Sequence, residues 1–245
     1  MPKYRIPLIV ANAFASILLA AASTMVLAQS DQTGKGPTEA PRAKPTPQSL
    51  VDAADRTFGN FMRDPEMDWL RQNVKHAKAV LIAPEVAKAG FIFGGSGGRA
   101  VLMVRNGKTG RWTGPAFYTL ATASVGFQAG VSVSEMITLV MTDKGLNSLL
   151  SDSFKMGPDA SIAAGPVGAG AKADVITDLV TYSRSKGLYG GVNLDGTIVA
   201  VSNDWNETYY GKKGIHAPDI LIRGNVHSKG AARLTADIAR SASKK

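Results

Sequence analysis

The chain has 245 residues, with 28 Lys and Arg against 19 Asp and Glu, three His and no Cys. That length admits one large domain or two small ones, and the missing thiol excludes disulfides, cysteine nucleophiles, thiolate metal sites and a cysteine-linked lipid anchor. A formal charge of +9 favours anionic partners such as phospholipid headgroups, lipopolysaccharide, nucleic acid or acidic glycans, and is silent on fold.

Residues 1–28 read as an export leader. Lys3 and Arg5 precede an apolar run from Ile6 to Val26, and Val26-Leu27-Ala28 supplies the pattern a signal peptidase reads, so cleavage is expected after Ala28. A second reading keeps the run as an uncleaved anchor, because its length approaches that of a membrane span. No Arg-Arg pair points to the twin-arginine route. Loss of Lys3 and Arg5 lowers the charge to +7. A mature chain of about 200 residues is large enough to build its own core. Export makes the expected location periplasmic, with membrane association, and removes nucleic acid from the expected partners.

Residues 29–48 hold four prolines and no large apolar side chain, the composition of a disordered Pro-rich linker. From Ser49 to Met62 the pattern becomes helical: Leu50, Val51, Ala54, Phe58, Phe61 and Met62 recur at spacings of three and four behind Ser49 as cap. Asp64-Pro65-Glu66 restarts a helix, expected over Glu66–His76, with Met67, Leu70 and Val74 on one face and Arg71, Lys75 and Lys78 towards its end.

The period then shortens. Apolar or alternating runs such as Ala79–Ala83, Arg99–Val104, Ile137–Met141, Ser161–Ala164, Asp174–Ser183 and Thr197–Ser202 read as strands. Asn106–Gly110 and Asp195-Gly196 carry hairpin-turn chemistry. A short helix is expected over Asp143–Asp152, and a helical or looped closing segment over Asp204–Tyr210 and Pro218–Arg223. The basic tail at 226–245 reads either as a helix from about Ala231 to Ser241 or as a disordered end. The fold class is α+β: N-terminal amphipathic helices on a strongly curved, glycine-rich antiparallel sheet or partial barrel.

Gly94-Gly95-Ser96-Gly97-Gly98 resembles a phosphate loop by letters. A dinucleotide fingerprint needs a helix after its last glycine, and a β-rich run follows instead. The cluster is therefore expected to be a sharp turn or bulge, where glycine is used because a Cβ does not fit. His76, His216 and His227 have no metal-ligand spacing. Asp174 with Asp178, and Asp204 with Glu207, are candidate carboxylate pairs whose simpler role is capping. No catalytic residue, metal site or cofactor is expected.

Several ordered motifs carry a resemblance: Ala77–Arg105, Trp112–Phe117, Gly126–Gly130, Gly157–Ala160, Ala164–Gly168, Tyr182–Gly191, Gly196 and Tyr209–Gly211. Over residues 49–225 the chain resembles the SYLF family, whose eukaryotic members include Ysc84-type lipid- and actin-binding proteins. The resemblance implies a non-enzymatic lipid-binding module, here an exported bacterial one, for which actin is not an expected partner. Anionic phospholipid, or the membrane surface, is the expected partner. The alternative is a structural or adaptor protein that binds another envelope component. Trp69, Arg71, Lys75 and Lys78, supplemented by Arg184 and Lys186, are the candidate lipid-binding residues, because Trp favours the interface and basic chains reach headgroups. The other reading of Met67, Trp69, Leu70 and Val74 is that they cover the sheet.

Overall fold

The computed structural model describes residues 44–90, 93–125, 130–168, 176–185, 188–189 and 194–243. The expected leader and residues 29–43 of the Pro-rich segment lie outside these residues, and Pro47 and Gln48, read as linker, are helical. Helix α1 spans Pro47–Arg63. Thr46 is its N-cap and forms a reciprocal capping box with Ser49, so the helix begins two residues before the expected start, and Ser49 serves as the third helical residue. Val51, Ala54, Phe58 and Phe61 form its buried stripe. Asp64 adopts extended backbone before Pro65 and ends the helix. A 3₁₀ turn, Pro65–Met67, leads into α2, Asp68–Asn73. This second helix is shorter than expected, because the chain turns at Val74–His76 to enter the sheet.

Strands β1 (Ala79–Gly90), β2 (Phe93–Arg105), β3 (Trp112–Val125) and β4 (Gly130–Val140) are long, and neighbours among them pair antiparallel. Helix α3 covers Asp143–Leu150. Then come β5 (Ser153–Lys155), β6 (Ile162–Ala164), β7 (Leu179–Ser185), β8 (Leu188–Tyr189) and β9 (Ile198–Val201). Helices α4 (Asn203–Tyr210), α5 (Ala217–Leu221) and α6 (Ala232–Ser243) follow. The sheet order is β5-β9-β3-β2-β1-β4-β7-β6, with β8 added on β7. The fold is α+β, with the sheet curled into an open half-barrel. The sheet is mixed, because β6 joins β7 in parallel.

Both faces of the sheet are buried in its basal half, where β1 starts. One face carries Val80, Ile82, Val101, Met103, Phe117, Ile137 and Leu139 beneath the core side chains of α1, α2 and α6. The other carries Leu81, Leu102, Ala116, Tyr118 and Val140, closed by Leu149, Phe154, Met156, Ile220 and Leu221. The C-terminal helix belongs to the same body as α1: Leu234 and Ile238 are buried, and Arg233 Nε lies 2.8 Å from Asp55 Oδ2. No helix of the described residues is long and apolar enough to cross a membrane.

The glycine cluster is corrected by the ladder. Gly94–Gly98 is neither turn nor bulge but an uninterrupted part of β2, paired on both sides. The bulge lies in β1, where pairing shifts between Ile82 and Glu85 at Pro84, a residue that cannot donate to the ladder. Gly98 faces that bulge. A Cβ there would lie 2.4 Å from the Glu85 carbonyl oxygen. The bulge also inverts the alternation of β1, so Ala87 and Ala89 fall on the face of Val80 and Ile82.

Candidate functional site

The helix-to-helix corner around Asp64 gathers three of the sequence-predicted residues, and it uses all three internally. Asp64 Oδ1 accepts from Glu66 N at 3.0 Å, opening the 3₁₀ turn. The Arg71 guanidinium folds back over that turn, donating to the Asp64 carbonyl, to the Asp68 carboxylate and to the Pro65 carbonyl at 3.2 Å. Trp69 is only 6 % exposed, and its ring centroid lies 6.4 Å from that of Tyr182. It belongs to the core and does not present its indole to the exterior, because so short a helix buries Trp69 and Leu70 together. Arg184 on β7 donates to the Glu135 carboxylate, approaches Asp64 Oδ2 at 3.7 Å and lies over the Phe61 ring. Glu135 also accepts from Thr57 Oγ1 at 3.0 Å. Arg71 and Arg184 thus brace α1, α2, β4 and β7. Lys186 lies outside the described residues.

Lys75 and Lys78 belong to a different cluster, at the end of the sheet where β1 begins, β2 ends and β3 starts. Arg105 N donates to the Lys78 carbonyl at 2.8 Å, and the Arg105 guanidinium donates to the Lys75 carbonyl. These bonds seat the β2–β3 hairpin beside the exit of α2. In the hairpin, Asn106 Oδ1 accepts from Lys108 N at 3.0 Å and Thr109 N at 2.9 Å, and Gly110 takes a positive φ of 69°. Lys108 and Arg111 are exposed as a result. Lys78 Nζ pairs with Asp143 Oδ1 at 2.9 Å. Lys75, Lys78, Arg105, Lys108 and Arg111 therefore form one basic end, where among the described residues Lys78 pairs with Asp143. Sequence reasoning recognised the turn but missed Arg105, Lys108 and Arg111, although two of them flank an Asn-Gly-Lys-Thr-Gly loop.

The carboxylates act as caps. Asp178 is buried and accepts from Thr142 Oγ1, Ser161 N at 2.9 Å and Ser161 Oγ at 2.8 Å. The Thr142 hydrogen bond, seconded by those from Ser161, lowers its pKa to about 2. Asp174 lies outside the described residues. Asp204 accepts from Ser202 Oγ, and Glu207 from Gly214 N, both at 2.8 Å. His76, His216 and His227 are all exposed.

A curled α+β sheet with a basic end and charge-braced helices defines a domain class that comparison places directly. Residues 121–241 match the family described as Ysc84, Las17-binding protein actin regulator. LAS seventeen-binding protein 3 of Saccharomyces cerevisiae is 30% identical over 182 residues, which is 68% of this chain and 39% of that protein. Protein YSC84 of the same yeast is also 30% identical over 182 residues, covering 38% of its own length. Human SH3 domain-containing YSC84-like protein 1 is 28% identical over 154 residues, 61% of this chain and 44% of that protein. The chain belongs to the Ysc84, or SYLF, family. It spans less than half the length of these curated relatives. The family description and the name of the first of these relatives speak of Las17 binding.

Proposed function

We propose that the protein binds anionic phospholipid at the surface of a bacterial envelope membrane, after export, without covalent chemistry. The observation that carries this reading is the basic end formed by Lys75, Lys78, Arg105, Lys108 and Arg111. Five cations around one hairpin focus a positive potential on a surface, and each near an anionic bilayer contributes about 1 kcal/mol. Of the sequence-predicted lipid contacts, Lys75 and Lys78 keep that role, while Trp69, Arg71 and Arg184 hold the architecture behind them.

The test is co-sedimentation of the protein, as the cell matures it, with phosphatidylglycerol-containing and pure phosphatidylcholine vesicles across a salt series. Binding should require the anionic lipid and weaken with salt. Joint reversal of Lys75, Lys108 and Arg111 to Glu should reduce it at least about tenfold, on the scale of 1 kcal/mol per cation. Undiminished binding of the triple variant contradicts the residue assignment. A second reading, an adaptor for another envelope component, is favoured by the family description and one relative's name, which speak of Las17 binding. It predicts no preference for anionic vesicles.

A further inference from the structure

The long strands continue past the Glu135–Arg184 row, beyond the core. In this distal half the described strands alternate cleanly. One face carries Val131 and Val133 of β4, Ala87 and Ala89 of β1, Gly95 and Gly97 of β2, and Ala121 and Ala123 of β3. These residues form two unbroken rows, and Ile198 of β9 extends one of them beside Ala121. The opposite face at the same level carries Lys88, Ser96, Thr122 and Ser132. Val131 is 76% exposed, Val133 46% and Ile198 40%, so half of the large exposed apolar side chains of the described residues stand on this one small face.

We infer that this apolar face of the distal sheet is a hydrocarbon-contacting surface that enters the interfacial layer of a bilayer, leaving the Lys88 face to the headgroups. The inference rests on the lipid reading above and adds the apolar contact that buried Trp69 does not supply. Three observations select a membrane as the occupant. Between Val86 and Ser134, the described distal residues of the four strands carry one charged side chain, Lys88, and no carboxylate, which suits an anionic interface. The amphipathy is that of a surface-seeking element, with apolar and polar residues on opposite faces. Four strands about 4.8 Å apart and four residues deep at about 3.4 Å each give an area near 260 Å². That is well below the roughly 800 Å² per partner of a stable protein interface, so a second copy is the poorer fit. The face and the basic end stand at opposite ends of β1, about 33 Å apart. The two sites are therefore far enough apart for each to be altered alone.

The chain has no cysteine, so single labels are clean. Val131→Cys, Val133→Cys and, on the opposite face, Ser132→Cys would each carry an environment-sensitive nitrobenzoxadiazole label, with co-sedimentation of the same labelled protein run in parallel. With equimolar phosphatidylglycerol and phosphatidylcholine vesicles, positions 131 and 133 should brighten roughly twofold or more and be quenched by spin-labelled acyl chains, as for an apolar face at the acyl boundary. Position 132 should not be quenched. If the protein pellets with vesicles while 131 and 133 stay silent, the inference fails and the lipid reading survives. If nothing pellets, both fail. Brightening that depends on protein concentration without vesicles identifies a second copy and overturns the inference. Val131→Asp with Val133→Asp gives an independent check: pelleting should fall while the thermal midpoint holds.

Discussion

The basal and distal halves of β1–β4 are the same four strands built to opposite specifications. The basal half is rich in Leu, Ile, Val, Met and Phe and is covered on both faces. The distal half is mostly Gly, Ala, Ser, Thr and Val, with one face largely bare. Both halves keep the hydrogen-bonded ladder. Pairing alone therefore does not locate the stability of this domain. Burial does, and the distal half is free to be selected for what it touches.

The largest expected effect separates the halves by truncation. Phe117 is fully buried, its ring centroid 5.0 Å from that of Tyr209 and 5.9 Å from that of Trp205, and its N–H donates to Asn206 Oδ1 at 2.9 Å. Phe117→Ala should lose about 3–5 kcal/mol in denaturant unfolding. A loss below about 1 kcal/mol would contradict the account of the basal core.

Next comes the boundary between the halves. Gly98→Ala drives a Cβ against backbone, 2.4 Å from the Glu85 oxygen, and should destabilise by about 1–3 kcal/mol. At Gly97 the nearest atom would be 3.5 Å from the Cβ, an ordinary contact. Gly97→Ala should therefore be neutral or slightly stabilising, by about 0.4–1 kcal/mol at most, through the unfolded chain. Equal losses at 97 and 98 would break the argument that the bulge, rather than the glycine cluster as such, demands glycine.

The Asp178 cap gives a smaller, pH-dependent effect. Its folded pKa is lowered from 3.8 to about 2, so its contribution is complete above the unfolded value and lost as pH falls from 3.8 towards 2. Unfolding midpoints measured between pH 5 and 2 should fall in that window for the wild type and less steeply for Asp178→Asn. Asp55 has the opposite sign. Burial first, then the Asp237 charge, raises its pKa, so its share of stability declines as pH rises past the unfolded value. Asp237→Asn should shift the midpoint upward near neutrality. The smallest effect belongs to the distal face itself: Val131→Ser should change stability by less than about 0.5 kcal/mol.

How legible this was in the sequence depended on whether the deciding contact was local. The stripe Val51, Ala54, Phe58 and Phe61 is a local signal, and α1 was placed to within two residues at its start. The β2–β3 turn and helix α3 were similarly visible, and α4 lies in a segment read as either helical or looped. β3 was harder, because Gly114-Pro115 reads as a break, yet the strand runs through it. The glycine cluster was misread as a turn or bulge because its support comes from β1 and β3, two partners that no local window contains. Trp69 beside three basic residues suggested an interface, and only the packing of α2 against Tyr182 shows it is interior. Arg105, Lys108 and Arg111 join Lys75 through long-range pairing, so no spacing rule would have assembled the basic end.

Hydrogen exchange along β1–β4, read with and without anionic vesicles, tests the division most directly. In the free protein the basal segments 79–83, 100–104 and 136–140 should exchange slowest and the distal segments 121–123 and 131–134 fastest. Vesicles should slow the distal segments and the 106–111 hairpin and leave the basal segments unchanged. Uniform protection along the strands, or vesicle protection confined to the basal segments, would contradict the claim that the basal strands build the fold while the distal face and the 106–111 hairpin meet the membrane.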